Sequence, residues 1–104
     1  MLVASCGDDR PKTNEELGLN AQQAGGRAIF DHYCAPCHFA YSARGNKGPG
    51  LKQLFRKQFL PSGVPANDRF VQQTIRGGRG MMPAFGDALT PDQLENLMAY
   101  LHTL

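Results

Sequence analysis

The chain has no tryptophan, only 19% charged residues and no strong excess of either sign of charge. The net charge of +2 gives no ground for a nucleic-acid partner. No apolar run approaches the roughly 20 residues of a membrane span. There is no internal repeat and no low-complexity stretch, which excludes a repeat architecture. No segment alternates convincingly as a β-strand, so a sheet-based fold is not expected. With 104 residues the chain is one small domain, and 12 Gly and 7 Pro imply many turns between short elements. A domain this size buries a limited core and gains from a disulfide, a metal or a cofactor.

The cysteines are Cys6, Cys34 and Cys37, and the last two fall in Cys34-Ala35-Pro36-Cys37-His38. C-x-x-C-H is the pattern of covalent c-type haem attachment. Two thiols three residues apart at a helix end can each add to a vinyl group, and the next residue offers an imidazole to the iron. Two rival chemistries share the C-x-x-C half. A dithiol redox motif needs a βαβ context, which is missing. A zinc site needs a second ligand pair, which Cys6 and the histidines His32, His38 and His102 could supply only by chance geometry.

Residues 1–19 carry little apolar periodicity and read as a tail or tether. Met1-Leu2-Val3-Ala4-Ser5-Cys6 resembles the end of a lipoprotein signal, without its charged start and most of its apolar stretch. Lipid anchoring at Cys6 is one expectation, and an accidental match is the other. Residues 20–104 form the globular domain.

Within it, residues 20–37 read as a first helix, with Asn20 as N-cap, Gln23 completing a capping box, and Gly26, Ile29, Phe30 and Tyr33 on one face. The Gly25–Gly26 pair implies close packing on that face. Residues 39–66 are loop-rich, with a short helix around Leu51, Leu54 and Phe55. A second helix spans 67–76 behind Asn67 and stops at Gly77–Gly78. Thr90-Pro91-Asp92-Gln93 starts a third, whose stripe is Leu94, Leu97, Met98 and Leu101.

A haem iron held by His38 needs an account of its other face, where a thioether would raise the potential. Met1 stands at the start, and Met98 belongs to the apolar stripe of the last helix. Met81 and Met82 remain, in the loop 78–86. Met82 is favoured because a residue before proline is held extended. His32 and His102 read as helix-surface residues, which leaves a bis-histidine site as a minor alternative.

With these residues assembled, the chain resembles the class I c-type cytochromes, in particular the short bacterial, cytochrome c6-like, single-haem members. The resemblance covers about residues 24–104. It rests on Gly26 and Phe30 ahead of the Cys34, Cys37, His38 motif, on Gly48-Pro49-Gly50-Leu51 and Met82-Pro83-Ala84-Phe85, and on Leu97 and Tyr100. It implies an all-α cytochrome c fold, with three main helices, a short helix and long loops around one covalent haem c. It implies Cys34 and Cys37 as the thioethers and His38 and Met82 as axial ligands. By the same resemblance the Pro49 carbonyl supports the imidazole, Leu51 and Phe85 pack on the haem, and Leu97 and Tyr100 cross Gly26 and Phe30. The indole bond to a haem propionate seen in some members is absent, and Arg56, Lys57 and Arg79 stand as open candidates for that role.

A His/Met iron has no vacant position, which argues for one-electron transfer over peroxidase or gas-sensing work. Ile29, Phe30, Leu51, Leu54, Phe70, Ile75, Phe85 and Leu97 would keep the site apolar. Residues 38–80 hold eight Lys+Arg and one Asp. That excess either offsets the propionates as a solvated surface or forms a docking face for an acidic redox partner. The expectation is a monomeric, extracytoplasmic electron carrier. Its alternatives are a peroxidase or sensor with a labile methionine, and an electron-transfer subunit of a larger oxidase or dehydrogenase.

Overall fold

The computed structural model describes residues 11–104. The expectation of a lipid at Cys6 therefore lies outside the described residues. Among those residues the regular structure is helical: α1 (Ala21–Tyr33), a short 3-10 turn (Leu54–Arg56), α2 (Asp68–Gly77) and α3 (Pro91–Leu101). Among the described residues no strands form, and two isolated bridges, Phe59–Pro65 and Arg79–Met82, pin loops.

Each helix starts where its capping chemistry dictates. The Asn20 and Thr90 side chains accept from the backbone N–H groups of Gln23 and Gln93, whose own side chains return the bond to the cap. Asn67 Oδ1 accepts from Phe70 N–H at 3.0 Å. The first helix ends earlier than the span 20–37 expected for it. It stops at Tyr33, and residues 34–38 form a tight turn in which the Cys37 and His38 N–H groups both reach the Cys34 carbonyl at 3.0 Å. Pro36 explains the stop, because it lacks an N–H and disfavours a helical Ala35.

The segment ahead of α1 is partly ordered. Thr13 and Glu16 cap one another across a turn, and Arg27 of α1 donates to Asn14 Oδ1 at 2.8 Å. Leu19 packs on the core.

α1 and α3 cross in close contact. A Cβ on Gly26 would collide with the Asn96 carbonyl and lie 2.9 Å from Tyr100 Cβ, so only hydrogen fits there. Next to it the Phe30 and Tyr100 rings meet at 5.5 Å between centroids. Tyr100, Phe30 and Leu97 are the most deeply buried large side chains. The Tyr100 hydroxyl shares a 2.7 Å hydrogen bond with Tyr41, and burial pushes its ionisation far upward, so it stays a neutral phenol. Leu94, Leu97, Met98 and Leu101 are all buried, which places Met98 in the core. α2 leans on this pair through Val71 and Ile75, and His102 at the end of α3 contacts Asp68 at the start of α2 at 2.5 Å.

Candidate functional site

The space left between α2, α3 and the loops is a cleft of about 350 Å³. Small-molecule sites span roughly 300–1,000 Å³. Its walls are mainly apolar, with Leu51, Leu54, Leu60, Val71, Ile75, Phe85 and Leu101 contributing. Cys34, Cys37, His38, Pro49, Met81 and Met82 line the same cleft. Folding thus gathers Cys34, Cys37, His38, Pro49, Leu51, Met82 and Phe85 from three separate stretches of chain.

On one side the 34–38 turn delivers two thiols and an imidazole. Burial, helped by the neighbouring Cys37, pushes the Cys34 thiol up to about 11, so it is protonated at neutral pH. His38 Nδ1 lies 2.7 Å from the Pro49 carbonyl. A carbonyl only accepts, so Nδ1 carries the proton and Nε2 keeps its lone pair for a metal. Gly48 makes room for this arrangement. A Cβ there would stand 2.8 Å from His38 Nδ1 and 3.0 Å from Nε2, inside contact distance of the ring. The loop is tied to the turn by Gly48 N–H to the Cys37 carbonyl and by Leu51 N–H to the Phe39 carbonyl, both at 2.8 Å.

On the other side the loop after α2 folds back sharply. Gly78 adopts φ +72°, and a Cβ there would meet the Met82 carbonyl at 2.6 Å. Arg79 and Met82 exchange backbone bonds of 3.1 and 2.9 Å, which closes a turn with Met81 at its outer corner. Met81 is consequently 90% exposed, whereas Met82 is half-buried and packs on the core. Phe85 N–H and Gly86 N–H reach back to the Ile75 and Arg76 carbonyls at 2.9 and 3.2 Å, sewing the loop to the end of α2.

Some expectations about the apolar lining need adjusting. Phe30 and Leu97 belong to the α1–α3 crossing, and neither they nor Ile29 and Phe70 line the cleft. Val71, Leu60, Phe59 and Leu101 do, together with Tyr33 and Thr74. Leu101 stood on the stripe of the last helix and was legible as buried. Phe59 and Leu60 sit in a loop without periodicity, and no sequence signal marked them. Gly48 was visible as part of a segment, but its role in clearing the imidazole needed coordinates. His32 is exposed on α1, as expected of a surface residue.

An apolar slot edged by two thiols, with an imidazole whose distal nitrogen is free, fits a flat, covalently attached iron macrocycle. Comparison with known proteins agrees. Residues 21–101 match the family described as cytochrome c oxidase, cbb3-type, subunit III. Cytochrome c6 of Leptolyngbya boryana is 31% identical over 81 residues, covering 78% of this chain and 91% of that protein. The cbb3-type cytochrome c oxidase subunit FixP of Azorhizobium caulinodans is 40% identical over 80 residues, 76% of this chain. The quinohemoprotein alcohol dehydrogenase ADH-IIG of Pseudomonas putida is 30% identical over 95 residues. The chain spans only 26% of FixP and 12% of ADH-IIG. The chain belongs to the class I c-type cytochromes, as a single-haem member with the small all-α cytochrome c fold. Its cofactor is covalently bound haem c.

Proposed function

We propose that this chain is a one-electron carrier whose haem is attached through Cys34 and Cys37 and ligated by His38 and Met82. The observation that carries the reading is the His38–Pro49 bond of 2.7 Å beside both thiols, in the cleft that Met82 also lines. Bound there, haem c supplies a metal that cycles between Fe(III) and Fe(II). The protein's share is to hold that metal in one environment in both states. Pro49 fixes the Nδ1 proton and with it the ring's aim. The Gly78-anchored turn carries Met82 inward, and Leu51 and Phe85 exclude water beside the ligands. Met82 is preferred to Met81 because the latter sits at the exposed corner of the turn.

Maturation in a haem-attaching host tests this directly. The expected product has the mass of the polypeptide plus one haem, a low-spin ferric spectrum and a long-wavelength sulfur-to-iron band. A mass equal to the amino acids alone overturns the attachment. A high-spin ferric iron that binds carbon monoxide quickly at neutral pH overturns the carrier role in favour of a peroxidase or sensor.

A second reading is supported by the likeness to FixP: the domain serves as the electron-transfer part of a larger oxidase. Co-purification with an oxidase from the native host would favour it over a free-standing monomer. Either way the domain works outside the cytoplasm, held at a membrane if Cys6 is acylated. From the cation-rich stretch 38–80, Lys47 opens at the cleft, alongside exposed Phe59 and Met81. This supports docking to an acidic redox protein, with association that slows as salt rises. A transfer rate indifferent to ionic strength would sink the docking reading. No helix among the described residues is long and apolar enough to cross a membrane.

A further inference from the structure

The cleft is mostly apolar, yet its charged lining residues are all cations. Lys47, Lys57 and Arg79 border it, and no carboxylate does. Among the described residues the ion pair is His102–Asp68, and no described carboxylate pairs with these three cations. Other cations are engaged elsewhere. Arg44 lies 4.9 Å over the Phe39 ring and Arg69 lies 5.5 Å over Phe70. Arg56, one residue before Lys57, does not border the cleft at all.

Unpaired cations at the rim of an apolar slot match an occupant with an apolar body and an anionic edge. A haem is such a body, and its two propionates lie on the half of the ring away from the vinyl groups. If Cys34 and Cys37 take the vinyl groups, the anionic edge faces away from the 34–38 turn. Lys47 is on the wrong side for it. It sits between Asn46 and Gly48, whose backbone groups bond to one another and to the Cys37 carbonyl at 2.8 Å, so it flanks the thiol edge. Lys57 and Arg79 come from other segments. Lys57 leaves the 3-10 turn in extended conformation toward the Phe59–Pro65 bridge, and Arg79 opens the turn after α2. No backbone bond ties either segment to the 34–38 turn.

We propose that Lys57 and Arg79 hold the two propionates, and that Lys47 does not. The proposal rests on the attachment reading above. A carboxylate set against an apolar wall costs free energy unless a cation offsets it, and Arg and Lys do this by charge-assisted hydrogen bonds. With no tryptophan in the chain, an indole N–H cannot take the role. The division also leaves Lys47, Phe59 and Met81 free at the mouth for a partner.

The test compares Lys57→Gln, Arg79→Gln and Lys47→Gln in the haem-loaded protein. Readouts are the propionate bending bands in resonance Raman spectra and the reduction potential at fixed pH and salt. Lys57→Gln and Arg79→Gln should each shift the propionate bands and tilt the Fe(III)/Fe(II) balance roughly threefold toward Fe(III), the scale of one unit charge acting through a partly solvated edge. Lys57→Arg and Arg79→Lys should restore both readouts, and Lys47→Gln should move neither. Should Lys57→Gln fail to retain haem, Lys57→Arg must retain it, and failure of both overturns the assignment. Either Gln variant with unshifted bands and potential overturns it too, as does Lys47→Gln shifting them alike. A wild-type chain without covalent haem defeats the attachment reading instead, so the two failures are told apart.

Discussion

On the His38 side of the cleft, the proposed ligand side chain is held directly: the Pro49 carbonyl accepts a hydrogen bond from Nδ1–H, and the ring fits against a residue with no Cβ. On the Met82 side, the grip is on the backbone alone. The turn is closed by Arg79–Met82 bonds and forced by the positive φ of Gly78, while the thioether makes packing contacts only. The contrast follows from the chemistry of the two donors. An imidazole has a second nitrogen by which its orientation can be fixed, and a thioether has none. The first wall therefore sets its donor by hydrogen bonding and shape, and the second by the path of the chain.

Four substitutions probe that contrast, in descending order of expected effect. Gly26→Ala strikes the crossing from which both walls hang. The new methyl meets the Asn96 backbone, which cannot yield as a flexible side chain could, and stability should fall by about 3 kcal/mol or more. Thermal or denaturant unfolding measures it, and any protein that folds should keep the native iron spectrum. Gly48→Ala attacks the His38 wall alone. It should cost about 1–3 kcal/mol and also disturb the ligand spectrum, because the ring itself must move. A normal spectrum would show that the glycine serves only the loop.

Met82→Ala removes the other proposed donor and leaves the helices in place. Stability should drop by about 2 kcal/mol, the potential should fall and the iron should open to carbon monoxide. Met81→Ala should change stability by less than about 0.5 kcal/mol and leave the spectrum untouched, since the side chain stands in solvent. If Met81→Ala is the variant that opens the iron, the donor has been placed on the wrong residue, and the turn must open in the loaded protein.

Much of the helical frame could be read in advance. Asn20 with Gln23, Asn67, and Thr90 with Pro91 and Gln93 each carry their hydrogen bonds within four residues, so their geometry is local. The stripe Leu94, Leu97, Met98 and Leu101 was legible because the helical period marks one face. The end of α1 was less so: the span ran to residue 37, although Pro36 stops it at Tyr33. The cleft was legible where chemistry demands a spacing, as at Cys34, Cys37 and His38. It was not legible at Leu60, where burial depends on how a loop closes.

By itself the sequence determined which groups were available: two thiols and an imidazole at fixed spacing, adjacent methionines before a proline, three capped helices and a cation-rich middle. Only the tertiary structure decided how they are used. It turned Met82 inward and Met81 outward, set the Pro49 carbonyl against His38, and brought Lys57 and Arg79 to the cleft while leaving Arg56 outside. The reason is range. Capping and periodicity act within a few residues, whereas these choices depend on loops closing against helices dozens of residues away, where a single missing Cβ or a reversed turn redirects the side chain.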